Sequence, residues 1–175
     1  EIPGAAQEIS GAMLERRQQG FDDIHRLLRP IPGVVIQEEE GFGHRPNIGM
    51  RGSGTDRSAK ITLMEDGVLI APAPYSAPAA YYFPLAGRME GIEVRKGSSQ
   101  VKYGPTTVGG ALNLISTSVP SAFRVRARIE GGQHGSGKLH ANIGDTGDRF
   151  GWLFETYQGL SDGFKQLDAG GDAGF

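Results

Sequence analysis

Bond chemistry would have to come from histidines, cysteines, carboxylates or an activated serine, and this sequence arranges none of them for it. The four histidines, His25, His44, His134 and His140, share no metal-ligand spacing. There is no cysteine, hence no disulfide, thiolate metal site or cysteine nucleophile. Glu38-Glu39-Glu40 is a charge run, but three adjacent side chains on an extended segment do not converge on one cation. Gly132 to Gly137 has too few and wrongly spaced glycines for a dinucleotide fingerprint. No Ser/His/Asp set can be assembled. The residues point to recognition rather than catalysis, with no resident cofactor or metal.

The elements that would position recognition residues follow from composition and pattern. Glycine makes up 28 of 175 residues, about twice the ordinary share near 7%, and there are ten prolines. The glycines alternate with Val, Ile, Leu and Tyr runs, which predicts short strands joined by tight turns. The formal charge of −2 creates no field to draw the chain to nucleic acid. No apolar run approaches the roughly 20 residues of a membrane-spanning helix, a limit that leaves a β-barrel open.

Along the chain, Glu8 to Gln18 reads as helix. A second helix is marked by Phe21, Ile24, Leu27 and Leu28 on one face, with Asp22 and Asp23 in its first turn, basic residues near its end and Pro30 as its stop. Pro32-Gly33 turns into a strand at Val34-Val35-Ile36. After a glycine-rich loop, Gly41 to Pro46, a short strand ends at Met50-Arg51-Gly52. Lys60 to Glu65 is a strand that Asp66-Gly67 turns into Val68-Leu69-Ile70. Ala71 to Pro84 is too long for a simple connector and is a functional candidate. Two more strands, Ile92 to Arg95 and Ala111 to Ser116, complete an α+β pattern with a small mixed four-stranded sheet.

After Pro120 the texture changes. Phe123, Val125, Ala127 and Ile129 alternate with Arg124, Arg126, Arg128 and Glu130; Leu139, Ala141 and Ile143 alternate with Lys138, His140 and Asn142. Asp145-Thr146-Gly147-Asp148 reads as a tight turn into a strand with Phe150, Trp152 and Phe154 on one face. This length and period suit the spanning strands of an outer-membrane barrel, and equally a soluble sheet with one wet face. In lipid, a one-residue slip would expose three arginines at a cost of about 2–4 kcal/mol each near the midplane.

Ile31-Pro-Gly-Val34, Asn47-Ile-Gly-Met-Arg-Gly52, Leu63-Met-Glu-Asp-Gly67, Ile92-Glu-Val-Arg-Lys-Gly97, Tyr103-Gly-Pro105 and Val108-Gly-Gly-Ala-Leu-Asn113 with Ser116-Thr117 occur in one order. Together they resemble the plug of TonB-dependent outer-membrane receptors. The resemblance covers Ile31 to Pro120. It implies a plug domain at 1–119 and the start of an outer-membrane β-barrel at 120–175, in a protein several times longer. Tyr75 in Ala-Pro-Tyr after the Asp-Gly hairpin brings the sequence nearest the ferric-citrate-type branch, although Ala77 and Ala79 stand where polar side chains would suit an acid chelate. No TonB box or signalling domain is recognised ahead of Ile31.

The resemblance implies a receptor for a metal chelate, most simply a ferric siderophore or ferric carboxylate complex. TonB would be its periplasmic partner, outer-membrane lipid would surround its barrel, and nucleic acid would play no part. Ligand contacts are expected from Arg45, Thr55, Arg57 and Tyr75, with His44 and Tyr81 as further candidates. Arg51 and Lys96 are expected to meet acidic residues of the barrel wall, Lys96 standing where the family usually has Arg. The glycines at 52, 67, 97, 104 and 110 are expected to take positive φ at strand ends. The rival readings are a soluble periplasmic α+β binding or adaptor domain and a glycine-rich surface adhesin, the latter disfavoured by the lack of repeats.

Three strands cannot close a barrel and would leave unpaired backbone groups in lipid. Residues 1–119 expressed alone are therefore predicted to be soluble, while adding 120–175 drives aggregation without detergent. A well-behaved, detergent-free monomer of all 175 residues would count against the barrel assignment.

Overall fold

Residues 5–19, 23–39, 44–70, 83–97, 103 and 109–163 are described by the structure, a computed structural model. The chain divides into two compact units, Glu1–Thr117 and Ser118–Phe175.

The first unit opens on strand β1 (Ala5–Ser10), where helix was expected from Glu8. The reason is a period of two. Ala6, Glu8 and Ser10 are exposed, Gln7 is half-buried and Ile9 is fully buried, so the segment pairs antiparallel with a later strand, β6 (Gly91–Lys96), with Ile9 opposite Ile92. Helix α1 (Gly11–Gln18) starts at Gly11, which takes φ +54°, a conformation that costs glycine no steric penalty.

Helix α2 (Ile24–Leu28) is short and capped by Asp23, whose Oδ1 accepts from the His25 backbone N–H at 2.8 Å. Phe21 and Asp22, assigned to this helix from sequence, lie outside the described residues. Strands β2 (Val34–Gln37) and β3 (Asn47–Met50) form an antiparallel pair in which Gln37 faces Asn47. Strands β4 (Ile61–Glu65) and β5 (Val68–Leu69) are joined by Asp66-Gly67, whose φ values of 49° and 80° are those of a two-residue hairpin turn. With β7 (Gly110–Ile115) the main sheet has the order β1-β6-β7-β4-β5, with β4 and β7 parallel and the other neighbours antiparallel. The mixed α+β architecture is as expected. The fifth strand is β1.

One apolar cluster fills the unit. Leu27 and Leu28 from α2 meet Ile48 from β3, Ile92 from β6 and Leu112 and Leu114 from β7, all fully buried. Each such side chain contributes about 1.5–3 kcal/mol on leaving water. Buried Gln18 closes the rim, its Nε2 donating to the carbonyls of Ala86 at 2.9 Å and Met89 at 3.0 Å. Gly52, Gly67 and Gly97 take positive φ as expected, but Gly110 does not. Gly110 is required for room instead, because a Cβ there would overlap Met50 Sδ and the Arg95 carbonyl. Gly104 lies outside the described residues.

The second unit is an antiparallel sheet of β8 (Arg124–Gly131), β9 (Gly137–Thr146) and β10 (Gly151–Leu160), with β9 central. Register puts Arg126, Asn142 and Glu155 in one cross-strand row, and Arg128, His140 and Tyr157 in the next. The other face carries Val125, Ile129 and Phe154, all well exposed, with Trp152 tilted against Phe154 at 5.5 Å between ring centroids. Strand β9 runs on through Thr146, so the turn falls two residues later than read from sequence, closed by Gly147 N–H donating to the Phe150 carbonyl at 2.9 Å.

Asp23 is a titratable group engaged with the fold. Burial alone would raise its carboxyl pKa, but hydrogen bonds from His25 and the nearby positive charge outweigh this and hold it below the ordinary value. A carboxyl depressed in the folded state stabilises the fold above its unfolded pKa of about 4, and that contribution is lost as pH falls through the folded value. Asp23→Asn keeps a capping oxygen and removes the charge. In the full receptor it is expected to lower neutral-pH stability, because the contribution of the ionised carboxylate is lost at every pH, and to make plug unfolding less sensitive to pH below about 4. Asp23→Ala should cost about 1 kcal/mol at neutral pH. Circular dichroism melts across pH test both.

Candidate functional site

The recognition residues expected from sequence fall on three loops: 38–45, described in part, 53–58, described throughout, and 71–82, outside the described residues. His44 and Arg45 sit exposed just ahead of β3, and Thr55 and Arg57 lie on the segment that follows it. Tyr75 and Tyr81 lie outside the described residues.

The first two loops are stitched together along β3. Ser58 Oγ donates to the Pro46 carbonyl at 2.7 Å and accepts from the Ile48 N–H at 2.9 Å. The Arg57 N–H donates to Asn47 Oδ1 at 2.8 Å. Thr55 Oγ1 donates to Gln37 Oε1 at 3.2 Å. A Cβ on Gly49 would overlap the Gly54 carbonyl, so the segment lies directly against the strand. Arg45, Thr55 and Arg57 thus emerge from one stitched corner, where two guanidinium groups suit an anionic ligand while the Thr55 O–H is already given to Gln37. Sequence reasoning missed Gln37, Asn47 and Ser58. Asn47 stood in the Asn-Ile-Gly-Met-Arg-Gly run, but nothing local marks it as a clamp for a residue ten positions on.

A second basic corner gathers at Gly33. The stems of Arg51 and Lys96 both reach it, at 3.9 and 4.0 Å from the position of a Cβ there, and the Arg51 guanidinium covers Gly97 so closely that a side chain at 97 would collide with it. Lys96 is 8% exposed, and its Nζ donates to the Pro32 carbonyl at 2.6 Å. Among the described residues no carboxylate pairs with Arg51.

Arg95 cannot stand in for the family's usual arginine at position 96, because strand alternation places it on the opposite face of β6. There its Nε donates to Glu93 Oε1 at 2.7 Å, while Tyr103 donates its hydroxyl to the other Glu93 oxygen and lies 5.8 Å beneath the guanidinium. Desolvation would lower the Arg95 pKa, but Glu93 and Tyr103 raise it above the ordinary arginine value.

Residues 1–111 match the family model described as the TonB-dependent receptor plug domain. The vitamin B12 transporter BtuB of Photobacterium profundum is 28% identical over 166 residues, covering 86% of this chain and 27% of the relative. The unliganded ferric citrate transporter FecA superposes with a TM-score of 0.68 at 28% identity, over 89% of this chain and 25% of that one. The pyoverdine outer membrane receptor FpvA from Pseudomonas aeruginosa PAO1 shares the fold, with a TM-score of 0.72 at 15% identity, over 94% of this chain and 23% of that one. The chain therefore spans about a quarter of the length of these proteins, the part holding the plug and the first barrel strands. It belongs to the TonB-dependent receptor plug domain family, whose members act at the outer membrane.

Proposed function

We propose that this chain is the plug, residues 1–119, and the first wall strands, 120–175, of a receptor that imports an anionic ferric chelate, either a ferric siderophore or the ferric complex of a small carboxylic acid. The observation that supports the cargo class is the stitched corner along whose backbone Arg45, Thr55 and Arg57 stand. Likeness to a ferric citrate transporter at 28% identity supports it. Tyr75, Tyr81 and His44 are proposed to complete the contact. TonB would supply the pull from the periplasm, and the plug would act as a two-state seal biased by ligand and by force.

In purified full-length receptor, Arg57→Glu is expected to weaken ferric citrate binding by about 1.5–3 kcal/mol, the range for a hydrogen bond to a charged group. Unchanged affinity would remove Arg57 from the site. Relatives named as vitamin B12 transporters make the corrinoid the informative competitor. Binding of vitamin B12 with no binding of ferric citrate would overturn the cargo class and leave the receptor class standing.

Arg51 and Lys96 are proposed to hold the plug against acidic residues of the barrel wall. Stripping one partner from a shielded ion pair costs about 3–5 kcal/mol, against about 0–1 kcal/mol for a solvated pair. Lys96 is the weaker latch, since its ammonium already serves Pro32 and lacks arginine's planar fork. Cells carrying the full receptor with Arg51→Ala should admit large antibiotics that the parent excludes. If permeability and thermal stability both match the parent, Arg51 is no latch.

A further inference from the structure

Strand β3 pairs with β2 along one edge only, yet its free edge is not left bare. Serine side chains occupy it: the Ile48 N–H donates to Ser58 Oγ at 2.9 Å, and the Met50 N–H donates to Ser53 Oγ at 3.2 Å. The following segment takes the place of a third strand, and to do so it bends sharply. Arg57 (φ 45°, ψ 29°) and Ser58 (φ 57°) are both left-handed, a region that side chains with a Cβ rarely hold and more rarely hold twice in succession. Such a backbone persists only where its surroundings over-determine it.

Two side chains do this. Asn47 Oδ1 takes the Arg57 N–H, and Ser58 Oγ bridges the Pro46 carbonyl and the Ile48 N–H. Asn47 is 4% exposed, and its Nδ2 has no partner among the described residues. A buried amide hydrogen left without a bond is costly, so packing alone does not explain an amide here. The exposed side chain of Arg57 therefore starts from a backbone held by buried groups.

We propose that Asn47 and Ser58 are positioning residues that hold the Arg57–Ser58 bend, so that the Arg57 cation is presented at a fixed place before ligand arrives. The inference rests on the reading of Arg57 as a ligand contact. A pre-set cation spares the ordering cost that a mobile loop would incur on binding.

The test uses purified full-length receptor in detergent, amide hydrogen exchange, and titration with ferric citrate. Asn47→Ala is expected to speed exchange at residues 55–59 while β6 and β7 stay protected, and to weaken ferric citrate binding about tenfold, as loss of one such bond would. Asn47→Asp, which keeps the acceptor, should restore slow exchange at Arg57. The double variant Asn47→Ala, Arg57→Ala should bind no more weakly than Arg57→Ala alone, because Asn47 acts through Arg57. Unchanged exchange at 55–59 in both Asn47→Ala and Ser58→Ala would overturn the clamp. Fully additive losses in the double variant would overturn action through Arg57. If Arg57→Ala alone leaves ferric citrate binding intact, the ligand reading of Arg57 fails and the role of Asn47 in recognition falls with it, whatever the exchange data show of the clamp.

Discussion

The hydrogen-bond ladders on the two edges of β7 set the geometry of the first unit. Strand β6 runs antiparallel along one edge and β4 parallel along the other, and residues 110 to 114 are all buried. Buried backbone groups must find partners, so β7 dictates where its neighbours lie. It also fixes the Asp66-Gly67 turn. The Asp66 N–H donates to the Leu114 carbonyl at 2.8 Å, the Gly67 N–H to Asn113 Oδ1 at 2.9 Å, and the Ser116 N–H to Asp66 Oδ1 at 2.9 Å. A hairpin far ahead in sequence is thereby locked to the end of the central strand. At the strand's other end, Gly110 lets Met50 pack against it, which links the main sheet to the β2–β3 pair and to the corner beyond.

What could be read from the sequence was local. Asp-Gly between two apolar runs specifies a hairpin because both turn residues need positive φ, and it folded so. The α2 helix was legible from Ile24, Leu27 and Leu28 on one face and from Pro30 as its stop, but Asp23, read as a first-turn residue, is its cap. Glu8 to Ser10 was misread because an edge strand depends on a partner more than eighty residues away, as Ile9 does on Ile92. Position 96 was legible as a departure, but only the β6 alternation shows that Arg95 cannot compensate. The clamp of Asn47 on Arg57 was not legible at all, since a side chain reaching a strained backbone ten residues on leaves no periodic trace.

The second unit keeps its two faces apart with little ambiguity. His140 Nε2 lies 2.9 Å from Glu155 Oε1 and its ring is 5.8 Å from that of Tyr157, while Arg128 meets Glu130 at 3.2 Å. These polar groups satisfy one another on one face of the sheet. The opposite face offers mainly apolar side chains, with Ile129 81% exposed. The arrangement is that of a wall section, wet on one side and apolar on the other.

The Gly49–Gly54 contact bears on how such a corner tolerates change. Strand and loop backbones touch there without side chains between them, so the loop's fit depends on Gly49, Asn47 and Ser58 and not on its exposed side chains. Exposed side chains away from such contacts can usually be exchanged within about 0.5 kcal/mol, whereas a strained backbone or a clamped amide cannot. Arg57 stands on that strained backbone, so a replacement keeps the clamp only where it tolerates the left-handed conformation, as Asn or Gly does. The corner behaves as a fixed socket whose shape is set by backbone contact and buried polar groups.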